Sequence, residues 1–193
     1  MLVTREEFEG AVKSCGYPSP PADVYEHLIE ETREHGFSRE ELAMFLAQLI
    51  HQSQGFQRRE DGAAVAEDYA DESDGRPGKS YYGRGYILLT WASNYKAASQ
   101  DLGLGEQLIK EPEAVARDGR LAMRVSVWFW DKVVRAETQG EENCFGATTR
   151  SINGFIECSG GFHPVAHERW QKYLKVAGAL GIRDRAEECG CYN

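Results

Sequence analysis

Basic clusters are missing from this chain: no five or six Lys and Arg residues run together, and acidic residues outnumber basic ones 31 to 22, for a net charge of −9. A surface that tracks phosphates is therefore not expected, and nucleic acid is excluded as a partner. Long apolar runs are missing too. Nothing approaches the roughly eighteen residues needed to span a bilayer, so no membrane span is expected. The opening MLVTREEFEG has neither the apolar stretch nor the small-residue cleavage site of a secretory leader. A mature domain carrying an added start methionine would open in the same way, so location has to be argued from the cysteines. These are Cys15, Cys144, Cys158, Cys189 and Cys191, with no CxxC pair and no zinc-like spacing. An odd count leaves at least one thiol unpaired in a monomer. Two readings stay open for the rest: buried thiols beside a loose tail, or a disulfide anchoring the Cys-Gly-Cys tail, which would favour secretion. Internal repeats and low-complexity tracts are absent. A length of 193 residues suits one compact domain over 1–193 with a substantial core.

What is present reads as helix. Thr4-x-x-Glu7 and Ser38-x-x-Glu41 are capping boxes, in which a hydroxyl and a carboxylate satisfy orphan amides at a helix start. Between them Val24, Tyr25, Leu28, Ile29 and Thr32 make one helical stripe, after a Pro18, Pro20, Pro21 break. Leu42, Phe45, Leu46, Leu49 and Ile50 repeat the pattern and predict a core-facing helix ending near Gly55. Residues 57–80 are polar, acidic and punctuated by Gly and Pro, which predicts a long loop. Tyr86 to Thr90 reads as a strand or a buried turn, and Tyr95, Ala98 and Leu102 as a helix ending near Gly103. Residues 121–134, apolar on nearly every side, predict a central helix packed all round. The last helix starts at Pro164 and turns Trp170, Tyr173, Leu174, Ala177 and Leu180 inward. The expected fold is mainly α, with short β pieces.

Three blocks are unusual: FLAQLIHQSQGF at 45–56, YYGRGYILLTWASNY at 81–95 and TTRSINGFIEC at 148–158. Each alone fits a structural role, since a Tyr-Tyr pair packs cores, Gly-x-Gly makes turns, and Asn-Gly ends helices. Together, in order, and with Trp128-Phe129-Trp130 between the last two, they resemble the catalytic domain of glycoside hydrolase family 19 chitinases. The matching stretches are His51-Gln52-Ser53, Tyr81 to Thr90, and Ile152-Asn153-Gly154-Phe155-Ile156-Glu157-Cys158, so the likeness spans about residues 40–191.

The resemblance implies a lysozyme-like helical domain with a cleft for consecutive N-acetylglucosamine units, cut by an inverting pair of carboxyl groups: one protonates the leaving oxygen and the other activates water. The acid belongs after His51, at the end of a rigid helix, and there this chain has Gln52. A carboxamide donates a hydrogen bond much as a protonated carboxyl does but gives up no proton, so binding geometry survives and the acid step does not. The isosteric replacement beside an otherwise intact set of groups favours a deliberate Glu→Gln change over a natural chitin binder without catalysis. For the base, Glu60 and Asp61 lie eight and nine residues on; Glu60 has the length and follows Gly55-Phe56 in the family's pattern, though a solvated loop carboxylate is the bland reading. Thr90 matches the hydroxyl that helps the base hold water, and Asn94 and Asn153 match amides that bind the sugar N-acetyl groups and the displaced water. Glu157 and Arg169 match an ion pair that supports the acid. Tyr82 and Trp91 are candidate sugar-facing rings, with core packing nearly as good an account.

Departures from the pattern are Leu88, where the family commonly has Gln, and Ser93, where it has Tyr or Phe. The loops of larger members are short or absent between Gly62 and Lys79, which implies fewer subsites and a more open cleft. The family also implies that Cys158 pairs with Cys189 or Cys191 and that hydrolysis needs no cofactor; the expected location, from the cysteines, is extracellular, and the expected state a monomer. His163 and His167 are four apart, but Pro164 lies between them and no third ligand accompanies the pair, so no metal is expected. Muralytic relatives make peptidoglycan the alternative substrate.

Overall fold

In the computed structural model, which describes residues 2–62, 67–70 and 73–193, the chain is mostly helical. The α-helices are α1 Arg5–Ser14, α2 Val24–Thr32, α3 Arg39–Gln52, α4 Ala92–Asp101, α5 Gln107–Lys110, α6 Ala114–Arg117, α7 Gly119–Phe129, α8 Arg135–Glu137, α9 Phe145–Glu157 and α10 Pro164–Ala179. Among the described residues β structure is limited to isolated bridges such as Glu60 with Arg84 and Arg84 with Leu89. No helix among the described residues is long and apolar enough to cross a membrane. The predicted loop over 57–80 lies partly outside the described residues, and its described part holds one short 3-10 turn, Glu67–Tyr69.

The capping box at α1 is complete: the Glu7 amide donates to Thr4 Oγ1 at 3.2 Å, and the Thr4 amide donates to Glu7 Oε2 at 2.8 Å. At α3 only half forms. The Glu41 amide donates to Ser38 Oγ at 3.0 Å, but the Glu41 carboxylate accepts from Trp130 Nε1 at 2.9 Å and from Arg135 Nε at 2.7 Å. A charge-assisted bond to a guanidinium outcompetes a neutral amide for the same oxygens, so a local signal has been taken over by tertiary structure.

Helix α3 is enclosed beyond its predicted stripe, since every residue from Leu42 to Ile50 is buried. It packs mainly against α10, which also covers α1, while α9 touches α3 from another side. Helix α7 is the second central element, packed against α2 and α6, and it continues into a π-turn over Trp130–Val134. One extra residue per turn there buries Trp130, whose ring meets Phe45 edge-on at 5.2 Å between centroids. Of the two forms expected for 86–90, the turn is the one observed, closed by Leu89 N to Arg84 O at 2.7 Å and Arg84 N to Leu89 O at 3.1 Å. Leu88 sits inside it at φ 58°.

The tail is bolted to both ends of α9 by two disulfides, Cys144–Cys189 and Cys158–Cys191, leaving Cys15 free. The Phe145 amide donates to the Glu187 carbonyl at 2.7 Å, so the tail also caps the helix start. Contact is close enough that a Cβ on Gly146 would stand 2.4 Å from the Cys189 carbonyl oxygen; glycine is required there. Burial pushes the Cys15 thiol's pKa up, which keeps it a thiol instead of a reactive thiolate.

Candidate functional site

Three helices deliver the groups around Gln52. The last turn of α3 brings Gln48, His51 and Gln52; α9 brings Thr148, Thr149, Asn153 and Glu157; α10 brings Arg169 and Lys172. Arg169 is their centre. Its Nε donates to Glu157 Oε2 at 2.9 Å and its Nη2 to Glu157 Oε1 at 2.7 Å, with both side chains 2 % exposed. Nη1 also donates to Gln48 Oε1 at 2.9 Å and Nη2 to Gln52 Oε1 at 3.0 Å. Taking such a pair out of water is costly unless every remaining lone pair and proton is satisfied, and here satisfaction is extensive. Asn153 Nδ2 donates to Glu157 Oε1 at 2.7 Å, and Gln48 Nε2 donates to Thr148 and Thr149 at 3.0 and 2.9 Å. Asn153 reaches Glu157 from a break in α9, at φ −146° and ψ 31°.

Gln52 is half-buried and held by both ends of its amide. The oxygen accepts from Arg169, and Nε2 donates to the Ile87 carbonyl at 3.1 Å. That carbonyl belongs to the 84–89 turn, so the Tyr-Tyr-Gly-Arg-Gly block and the His-Gln-Ser block meet at this bond. Beside it, burial foremost and then the Arg169 and Lys172 charges hold the His51 imidazole down to about 2. Neutral His51 accepts at Nδ1 from Lys172 Nζ, 3.1 Å away, and Lys172 is balanced by Glu168 at 2.7 Å.

Glu60 lies in a different setting. It is exposed, on a two-sided bridge in which the Asp61 amide donates to the Gly83 carbonyl at 3.0 Å and the Gly85 amide to the Arg59 carbonyl at 2.9 Å. Tyr82 Oη donates to Glu60 Oε2 at 3.1 Å. Neighbouring Asp61 has its pKa pushed up by burial, with Arg58 acting in the opposite direction.

Thr90, Trp91 and Asn94 line one cavity of about 240 Å³ with Ile87, Ser151 and Ile152. Within it the Thr90 hydroxyl donates to the Leu88 carbonyl at 2.8 Å and Asn94 Nδ2 donates to the Thr90 carbonyl at 2.9 Å. Both side chains therefore keep acceptor oxygens for a ligand. Trp91 stands 51 % exposed at φ 78°, its ring edge-on to Tyr69 at 4.8 Å. A bulky residue in the left-handed region is strained, and such strain collects where a side chain must be presented. Larger hollows, about 470 Å³ beside Glu41 and Arg135 and about 570 Å³ between Glu30 and Arg120, hold none of the candidate catalytic or sugar-contacting residues, so size does not locate the site.

The candidates thus fall into three linked groups: Gln52 with Asn153, Glu157 and Arg169; Glu60 with Tyr82; and Thr90 with Trp91 and Asn94. Gln48, Lys172 and Arg84 were not singled out from sequence. Gln48 carried a signal, as the polar residue inside the otherwise apolar run from Leu42 to Ile50 and one helical turn before Gln52. No group of three or more His, Cys, Asp or Glu among the described residues is placed to hold a metal ion.

The sequence profile of glycoside hydrolase family 19, chitinase class I, matches residues 30–191. An endochitinase of Arabidopsis thaliana is 42 % identical over 149 residues, which cover 75 % of this chain and 50 % of that protein. Basic endochitinase CHB4 of Brassica napus is 38 % identical over 193 residues, covering 94 % of this chain and 69 % of that one. The chain thus spans about half to two thirds of these relatives' length. Among solved structures, a Glu→Gln mutant of chitinase C superimposes with a TM-score of 0.80 at 28 % identity over 98 % of this chain and 97 % of the other. A class IV chitinase of family 19 from Zea mays gives 0.77 at 27 %, covering 98 % of each chain.

Proposed function

The chain belongs to glycoside hydrolase family 19, and from that premise we propose that it is an endo-acting chitinase domain whose acid step is disabled at Gln52. The observation that carries this reading is the way the Gln52 amide is held. One arm accepts from Arg169 and the other donates to the Ile87 carbonyl. A protonated carboxyl offers one acceptor and one donor in the same shape, whereas an ionised one offers acceptors only and would face the carbonyl with no proton between them. Arg169 is already neutralised by Glu157, so it orients this group without the full pull of a free cation toward ionisation.

With a carboxyl at position 52, the proposed reaction follows directly. The acid gives its proton to the glycosidic oxygen as the bond from the anomeric carbon to that oxygen breaks. Glu60 takes a proton from a water, and the water oxygen bonds to the anomeric carbon from the opposite face, inverting its configuration. Thr90 and Asn94 offer their free oxygens, and Trp91 a ring, to water and sugar along the cavity. Asn153 serves mainly through Glu157, with its Oδ1 left over for an N-acetyl group. As the chain stands, chitin oligomers are bound and not cut. Two disulfides fit work outside the cell, and the domain acts as a monomer over 1–193 on chitin alone, with no cofactor.

The test is Gln52→Glu assayed on chitin oligomers beside peptidoglycan. Chitin cleavage should rise by about two to four orders of magnitude, the usual worth of general acid catalysis, and NMR of the first products should show the inverted anomer. A variant as inert as the parent on chitin would overturn the proposal, and cleavage of peptidoglycan alone would reassign the substrate.

A further inference from the structure

Three cations are buried among the described residues: Arg169 pairs with Glu157 and Lys172 with Glu168, but Arg84, 2 % exposed, has no carboxylate within ion-pair distance among them, Glu113 feeling its charge only from farther off. Its Nε is buried with no hydrogen bond among the described residues. Leaving a cation in that state is expensive, so its surroundings should show what it is for. Nη1 donates to the Ser80 carbonyl at 2.9 Å, the Tyr82 carbonyl at 3.4 Å and Tyr95 Oη at 3.2 Å. The guanidinium carbon lies 3.7 Å from the centroid of the Tyr82 ring. Tyr95 Oη in turn donates to the Tyr82 carbonyl at 2.7 Å. Tyr82 is thereby fixed through its backbone and one ring face, and its hydroxyl is the group left to act. That hydroxyl donates to Glu60.

Register explains why the three meet. Residues two apart on an extended segment share a face, so Tyr82 and Arg84 do, and Glu60 is bridged directly to Arg84. A cation against the ring withdraws charge from it and strengthens the phenol as a donor. We propose that Tyr82, pinned by Arg84, is the positioning residue that holds the Glu60 carboxylate. This differs from a sugar-stacking role for Tyr82, because one ring face is already covered and the hydroxyl is engaged. The inference rests on Glu60 being the base, and it supplies what an exposed carboxylate on an isolated bridge otherwise lacks, a fixed direction.

Tyr82→Phe tests it, since the ring and its stacking on Arg84 are kept and only the donor is lost. In a Gln52→Glu background kcat should fall about 10- to 100-fold, the worth of a hydrogen bond to a charged group, with KM within about twofold. In the Gln52 protein, which requires no activity, NMR relaxation of carbon-13-labelled glutamate should show the Glu60 side chain losing its single rotamer on Tyr82→Phe, while the affinity for chitin tetramer is unchanged. A raised KM or weakened tetramer binding with kcat kept would overturn the proposal in favour of sugar contact. Unchanged Glu60 order would also overturn it, whatever the activity does. Failure of Gln52→Glu to cut chitin, with Glu60 order still dependent on Tyr82, would instead count against the proposed function alone.

Discussion

The two candidate carboxyl positions are built in opposite ways. Gln52 ends a helix buried along nine consecutive residues and is gripped through Arg169, which ties α3, α9 and α10 together. Glu60 stands exposed on an isolated bridge, with one tyrosine as its side-chain partner among the described residues. The contrast fits the two proposed tasks. A group that must keep a proton and deliver it to one oxygen gains from burial and a rigid frame, whereas a group that must take a proton from water needs water beside it. Damage should therefore show differently on the two sides, in rate alone around Glu60 and in stability around Arg169.

The largest effect expected is on the open side. Glu60→Gln in a Gln52→Glu background should cancel about two orders of magnitude or more of the regained activity, while the unfolding free energy stays within about 0.5 kcal/mol, as for surface substitutions generally. A full loss of activity accompanied by a large fall in Tm would erase the contrast. On the closed side, Arg169→Met leaves Glu157 as an unpaired buried carboxylate and should cost about 3–5 kcal/mol in urea unfolding. Adding Glu157→Gln should return most of that loss, because the stranded charge is gone; a strictly additive double variant would show that the pair is not coupled.

Next come the tail bridges, which join residues 33 and 45 apart in the chain at the two ends of α9. Removing Cys158–Cys191 by Cys158→Ser with Cys191→Ser should cost about 2–4 kcal/mol. Mass spectrometry of the unreduced protein should find Cys15 as the alkylated thiol; Cys158 alkylated in most molecules would refute the pairing.

The smallest effect is a pH slope. His51 is held to about 2 by burial and by the Arg169 and Lys172 charges, against ~6.5 for a free imidazole. Because its folded value is depressed, the unfolded chain binds a proton that the folded chain refuses. Stability therefore falls as pH drops below about 6.5, by up to about 1.4 kcal/mol per pH unit from this group. Urea midpoints of the parent and of His51→Asn at pH 7 and pH 5 check this: the variant should lose less, and equal losses would mean that His51 does not refuse its proton.

Much of the helical plan was legible from the chain because it is local. Thr4 and Glu7, the stripe at Leu42 to Ile50, and Pro164 at the start of α10 all act within a turn or two of themselves. The π-turn at Trp130 was not legible, since the 121–134 run reads as regular helix and the wider turn appears where Trp130 packs on Phe45 and reaches Glu41. Cysteine partners were left open for the same reason: Cys189 and Cys191 are two residues apart, and only the path of the tail along α9 sends one to Cys144 and the other to Cys158.

By itself the sequence determined the family and the mainly helical class, and it named the candidate side chains, because motif order and helical period are carried by residues near one another in the chain. Tertiary structure alone decided what those side chains touch. Gln48 became the third partner of Arg169, Glu41 left its capping box for Arg135, and Tyr82 turned to Glu60 with Arg84 against its ring. In each case a buried or half-buried polar group must find a partner once water is removed, and which partner is within reach depends on helices and turns brought together from distant parts of the chain.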